Sequence, residues 1–402
     1  MRVGNKMSTR RAISVTQKSA SFIRKGDPLL VKESFPKELH FEEGEVVSLV
    51  DPQGQFVANA YLAVQNKGLG WIYSYHKEEA FDQTFFIQQF HTALARRQAL
   101  LDDEMTTAFR LFNAEGDGIP GVTIDLYDSY AVFSWYSKGV YRYQAELIEA
   151  FKQVFPFVTG IYEKHRYQSD DQAASDFVEG QQAPEPLYVK ENGVMYATYL
   201  DEGWMTGIFL DQRHVRQAIM ERYASGKSVL NTFSYTGAFS VAAAMGGAAH
   251  TTSVDVANRS LEKTKEQFVV NGIDPDTQLI RVMDVFDYIQ YAKRKSLAFD
   301  LIVVDPPSFA RTKKRTFSVV KDYSKMVEDL IDISADDAIF VCSSNAANYK
   351  RDKFKADIEK AFKNKEVGCR ILEEHRLPED FPAPAASQTS QYLKVFIIQK
   401  TK

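Results

Sequence analysis

Cysteine is nearly missing from this chain, which has only Cys342 and Cys369 in 402 residues. Two thiols cannot build a disulfide framework, and their scarcity fits a reducing compartment. Long apolar runs are missing as well: no stretch approaches the ~18 consecutive apolar residues of a membrane span. The early positive charge is not followed by the apolar segment of a secretory signal. A cytoplasmic protein without membrane association is therefore expected. Neither sign of charge dominates, since the formal net charge is −4, and this argues against indiscriminate binding to polyanions. Internal repeats and long low-complexity tracts are lacking too; the nearest is the short Pro/Ala stretch Phe381–Ala386.

What is present is a globular composition, 45% hydrophobic and 25% charged, on a chain too long for one ordinary core. Over residues 1–78, short β-type runs (Ala12–Val15, Val46–Leu49, Gln55–Leu62, Gly70–Tyr75) alternate with turn signals, which predicts a small all-β module. Its first forty residues are lopsidedly basic: Arg2, Lys6, Arg10, Arg11, Lys18, Arg24, Lys25, Lys32 and Lys37 face only Asp27, Glu33 and Glu38. They read either as a solvated tail or as an arm that attracts phosphate. Residues 79–105 carry Phe86, Phe90, Ala93, Leu94 and Leu101 at helical intervals beside Arg96 and Arg97, predicting an amphipathic linker helix. Residues 106–200 read as a central α+β domain, with a helix near Tyr143–Val154 and a polar, flexible flap over Ser169–Pro186.

From about residue 201 to 402 the pattern becomes strand, helix, strand, helix, specifying an α/β domain with a parallel sheet, closed at its edge by the apolar run Tyr392–Gln399. In such sheets ligands sit beyond the carboxyl ends of the strands. Four strand ends carry candidates. The first is Asn231-Thr232-Phe233-Ser234-Tyr235-Thr236-Gly237, a strand running into a turn with a single glycine, weak evidence by itself. The second ends at Asp255-Val256, about twenty residues later, where a carboxylate can accept from ribose hydroxyls. The third ends at Asp284-Val285: Asp284 can accept from an adenine amino group or simply cap the next helix. The fourth ends at Asp305-Pro306-Pro307-Ser308-Phe309, one carboxylate followed by two stiffening prolines. A polar, glycine-poor turn suits a cofactor without a phosphate group.

Taken together, these strand ends resemble the motifs of class I S-adenosylmethionine-dependent methyltransferases. The resemblance extends upstream through Gly203-Trp204-Met205-Thr206-Gly207-Ile208-Phe209-Leu210-Asp211-Gln212-Arg213 and Asn113-Ala114-Glu115-Gly116-Asp117-Gly118-Ile119-Pro120-Gly121. Both are similar to segments of bacterial large-subunit rRNA methyltransferases that carry an amino-terminal PUA domain, and the first module has the size of one. The resemblance implies a Rossmann-like fold, S-adenosyl-L-methionine as cofactor, no metal, 23S rRNA as partner, a homodimer, and methylation of cytosine at carbon-5.

That reaction needs a thiolate to add at carbon-6. Cys342, near the end of the strand beside Asp305, is the candidate, with Cys369 structural. The family places its cysteine in Ser-Cys-Ser-Gly, whereas Val341-Cys342-Ser343-Ser344-Asn345 permits other registers, and a slip of one residue on a strand reverses its face. Methylation of a guanine nitrogen, nitrogen-7 for instance, needs no adduct and is the competing RNA reaction; a binding or assembly factor without turnover is the rival from another class. Substrate contacts are expected from Pro306, Pro307, Phe309, Arg311, Lys313, Lys314 and Arg213. Phe309, Tyr235 or Phe381 are the aromatics available to stack on an extruded base.

Overall fold

The computed structural model describes residues 10–66, 68–168, 173–311, 315–387 and 389–402. Arg2, Lys6, Lys313 and Lys314 lie outside them. The first module is a five-stranded sheet in the order Arg11–Ser14, Val46–Val50, Phe56–Gln65, Gly68–Ser74, Leu29–Leu30. It is not all β. The helix Gln17–Arg24 begins where Thr16 accepts from the Ser19 amide at 3.2 Å, and it buries Ala20 and Ile23. Part of the basic amino-terminal charge is paired here, Arg24 with Asp51 at 2.7 Å and Arg11 with Glu45 at 3.2 Å.

Asp82 caps the helix Gln83–Leu101 through the Phe85 amide. This helix lays Phe86, Phe90 and Ala93 against a second sheet ordered Ser175–Gly180, Gly160–His165, Tyr130–Trp135, Val122–Tyr127, Ala108–Asn113. Gln144–Val154 covers the same core. Part of the expected flap is thus a strand: Ser175–Gly180 pairs antiparallel with Gly160–His165, with a register shift between Phe177 and Glu179. The hairpin Leu187–Glu191/Val194–Thr198 leads into the third domain.

That domain is a seven-stranded sheet ordered Leu279–Val282, His250–Asp255, Ser228–Thr232, Phe299–Val304, Ser334–Ser344, Lys394–Thr401, Gly368–His375. The first five strands are parallel, and Lys394–Thr401 runs antiparallel to both its neighbours, Ser334–Ser344 and Gly368–His375. The apolar Lys394–Thr401 therefore does not close the edge. It lies inside, covered by Gly368–His375, whose more exposed side chains suit the rim and which carries Cys369. Side chains along a strand alternate between faces. Accordingly Phe340 and Cys342 enter the core beneath the helices Val285–Arg294, Val319–Ile331 and Arg351–Asn364, whereas Ile339 and Val341 enter the opposite one. Strand order reverses between Ser228–Thr232 and Phe299–Val304, and a crevice opens beyond their carboxyl ends. Among the described residues no helix is long and apolar enough to cross a membrane.

Candidate active site

The turn after Ser228–Thr232 is held in a conformation that side chains seldom choose. Phe233, Tyr235 and Gly237 have φ of 54°, 53° and 81°. Left-handed non-glycine residues persist where the surroundings over-determine them, and here the constraints are visible. The Ser234 amide donates to the Val254 carbonyl at 3.0 Å, Gly237 to Ser234 at 2.7 Å, and the Tyr235 amide to Asp255 Oδ2 at 2.9 Å. Thr236 Oγ1 donates to the Gly207 carbonyl at 2.6 Å, tying the turn to the lead-in segment. Asn231 braces the turn from beneath: its Nδ2 donates to Ser240 Oγ at 3.0 Å.

The resulting crevice has a volume of about 550 Å³, within the ordinary range of small-molecule sites. One half is walled by Phe233, Tyr235, Asp255, Val256, Asp284 and Val285, the other by Asp305, Pro306, Pro307 and Ser308. Asn231, Ser234 and Gly237 stand behind that wall and shape the turn; Thr236 faces an adjoining cavity of about 160 Å³ on the Asp255 side. A larger cavity, about 940 Å³, opens among the domains around Trp71, Tyr136 and Arg166. It holds none of the strand-end carboxylates, so the chemistry belongs to the smaller crevice.

Asp255 accepts one backbone amide on each oxygen, from Tyr235 and from Ala257, which leaves lone pairs free for a diol. Asp284 both caps and lines: Oδ1 accepts from the Phe286 and Asp287 amides while the residue faces the crevice. Phe286 and Phe317, with ring centroids 5.6 Å apart, extend the apolar wall for an aromatic ring, and Arg315 lies 4.1 Å over Phe286. Phe317 belongs to the hairpin Phe309–Arg311/Thr316–Ser318, which carries Arg311 and the 62%-exposed Phe309 at the mouth. Diol acceptor, amine acceptor and aromatic walls suit an adenosyl group.

Asp305 ends the strand Phe299–Val304 and lines the crevice. Burial pushes its carboxyl up to about 6, against the opposing pull of a hydrogen bond from Ser343, with Asp211 adding repulsion. Gln212 Nε2 donates to Ser343 Oγ at 2.9 Å and lies 3.5 Å from Asp305 Oδ2.

Three expectations are corrected. Cys342 does not reach the crevice; it is wholly buried on the other face of its strand, and burial pushes its thiol up to about 12. Ser343 meets Asp305 instead. Arg213 is sequestered: its guanidinium, 2% exposed, binds Asp380 at 2.7 and 3.1 Å and cannot greet a substrate. Phe381 is buried under the Arg110 guanidinium, 4.5 Å from its ring centroid, and is no stacking platform. Sequence reasoning had not assigned Met205, Phe209, Asp211, Gln212, Phe286, Phe317 or Asn345, all of which line the crevice, as does Arg315 of the basic cluster that the sequence shows behind Phe309. The first four lie in the lead-in segment, whose resemblance was the available signal.

Among the described residues, one grouping has metal-ligand proximity, Glu163, His165 and Asp176 in the central sheet. Glu163 already accepts from Trp135, Tyr141 and Gln144, as a member of a buried hydrogen-bond network.

Fold and crevice define a class I methyltransferase that takes its methyl group from S-adenosylmethionine. Comparison with known proteins agrees. A model of the S-adenosylmethionine-dependent methyltransferase family matches residues 157–388, and one of the PUA-like domain matches residues 13–75. The chain belongs to that methyltransferase family, in the branch with a PUA-like domain in front. A Bacillus subtilis relative named "Putative ribosomal RNA large subunit methyltransferase YwbD" is 50% identical over 394 residues, 97% of this chain and 100% of the relative. Ribosomal RNA large subunit methyltransferase I of Pseudoalteromonas translucida is 30% identical over 88% of this chain and 90% of its own. The crystal structure of SMU.776 complexed with SAH superposes with a TM-score of 0.91 at 42% identity, covering 97% of this chain and 100% of that one.

Proposed function

We propose that the chain methylates a base nitrogen of large-subunit ribosomal RNA, guanine being the base, by direct displacement without a covalent enzyme–RNA adduct. The substrate class follows from the relatives' names. The observation that carries the reaction is the identity of the side chain beside Asp305: it is Ser343, while the Cys342 sulfur lies in the core with its thiol raised to about 12. An unactivated hydroxyl is a poor substitute for the thiolate that the carbon-5 reaction requires. Guanine nitrogen-7 carries an unshared pair outside the ring's π system and is nucleophilic by itself, so the protein need only extrude the base, orient it and exclude water.

S-adenosylmethionine, when bound, supplies an electrophilic methyl on a sulfonium. The ribose would be held by Asp255 and the adenine by Asp284 between Val285 and Phe286. Pro306 and Pro307 stiffen the far wall, and the exposed Phe309 is placed to stack on the base or its neighbour. Arg311 stands on the same hairpin for backbone phosphates.

The test is methyl transfer to unmethylated 23S rRNA by wild type and Cys342→Ala, with the product nucleoside identified by mass spectrometry. Methylguanosine, formed by both enzymes at rates within about threefold, is the expected result. Methylcytidine lost in Cys342→Ala would overturn the reading and restore the covalent route. Adenosylmethionine binding with no transfer to any RNA would favour a binding protein.

A further inference from the structure

Among the described residues, one of the buried polar atoms without a hydrogen-bond partner belongs to a residue that lines the crevice. Leu210–Gln212 forms a single 3-10 turn that runs directly into the helix Arg213–Ala218. Successive side chains in so tight a turn point different ways: Arg213 goes to Asp380, whereas Asp211 and Gln212 face the crevice. Gln212 is 4% exposed, and its Oε1 has no hydrogen-bond partner among the described residues. The orientation of its amide is set by its neighbours. Its Nε2 donates to Ser343 Oγ at 2.9 Å and lies 3.5 Å from Asp305 Oδ2. The reverse orientation would turn Oε1 toward Asp305 Oδ2, acceptor against acceptor. A buried acceptor without a partner is costly, and this one stands beside two carboxylates. Among the described residues Asp211 accepts from Tyr392 Oη, at 2.8 Å, and it lines the same crevice as Asp305. Asn345 also lines the crevice, and its Oδ1 accepts from Ser308 Oγ at 2.9 Å, which leaves its amide hydrogens to meet a carbonyl.

We infer that Asp211 and Gln212 are specificity residues that read the Watson–Crick edge of the extruded base, accepting from N1–H and the N2 amino group of guanine while Asn345 donates to O6. Resting on the RNA methyltransferase reading above, this assigns its base recognition to named atoms. The edge of guanine offers two donors and one carbonyl. Cytosine would bring two acceptors, and adenine a ring nitrogen, against a wall that is itself made of acceptors. A site built to bond a donor rejects the analogue that lacks it, because its own buried group is left unpaired.

The experiment uses the full chain and a short rRNA fragment carrying guanosine or inosine at the mapped position. Inosine keeps N1–H and O6 but lacks the amino group. Wild type is expected to prefer guanosine by on the order of tenfold or more. In Gln212→Ala that ratio should fall toward one, while adenosylmethionine affinity, measured by calorimetry, stays within about twofold and reports that the variant is folded. Asp211→Asn should lower the rate with both bases. Equal methylation of guanosine and inosine by wild type, or an unchanged ratio in Gln212→Ala, would overturn the inference and leave the activity standing. No methylation of either fragment or of 23S rRNA would instead overturn the functional reading beneath it.

Discussion

Asp305 lines the crevice at the end of the fourth parallel strand, and its ionisation has a definite sign. A carboxyl raised to about 6 is half protonated at that pH, whereas an unfolded aspartate titrates near ~3.9. Between those two values the native state holds a proton that the unfolded state has released, so this group's contribution to stability falls as pH rises through the window. Activity should run the other way. A crevice that works by accepting hydrogen bonds needs the carboxylate, so single-turnover methyl transfer should rise through about pH 6 and level off above it. Asp305→Asn should abolish that inflection and lower the plateau by on the order of 10²-fold; an unchanged profile measured by rapid quench would remove Asp305 from the reaction.

Among the elements, the turn after Ser228–Thr232 tests how much the cofactor depends on backbone shape. A Cβ at Gly237 would lie 2.5 Å from Thr264 Cγ2, on a residue whose φ is +81°. Gly237→Ala should therefore destabilise the domain by about 1–3 kcal/mol and weaken adenosylmethionine binding roughly tenfold, read by thermal unfolding and calorimetry. Unchanged affinity would mean that the turn does not shape the site. This element also shows what could be read beforehand. Strand-end carboxylates are legible because β-type runs of four to six residues alternate with helices at regular spacing and so announce their own ends, and Asp255, Asp284 and Asp305 were found without any geometry. Gln212 and Asp211 were not, because a polar pair in a single 3-10 turn leaves no periodic signature. Cys342 and Ser343 were confusable because they are neighbours on one strand, where one residue of register exchanges crevice for core. The helix Gln17–Arg24 was hidden by its shortness and charge. The rank of Lys394–Thr401 within the sheet was hidden because an apolar run says that a strand is buried, not which strand covers it.

For the whole molecule, the deepest connection between domains is ionic. Asp380, buried ahead of the final strand, accepts on its carboxylate from Arg213 at 2.7 and 3.1 Å and from the Arg110 amide at 2.8 Å. Its carbonyl accepts from Arg97 at 2.8 Å, and Arg97 pairs through two bonds with Asp117 of the glycine-rich loop. The linker helix, central sheet, lead-in helix and methyltransferase sheet thus share one chain of charges, and the loop packs so tightly that a Cβ on Gly116 would fall 1.7 Å from the Pro382 carbonyl. Removing one partner of a buried pair strands the other, at about 3–5 kcal/mol. Asp380→Ala should accordingly lower the unfolding midpoint by several degrees. Replacing both partners by apolar groups relieves the stranded charge, so Arg213→Met with Asp380→Leu should recover much of the loss. A double variant no more stable than Asp380→Ala would show that the hydrogen bond from the Arg110 amide to the Asp380 carboxylate, rather than the ion pair with Arg213, joins the central domain to the catalytic sheet.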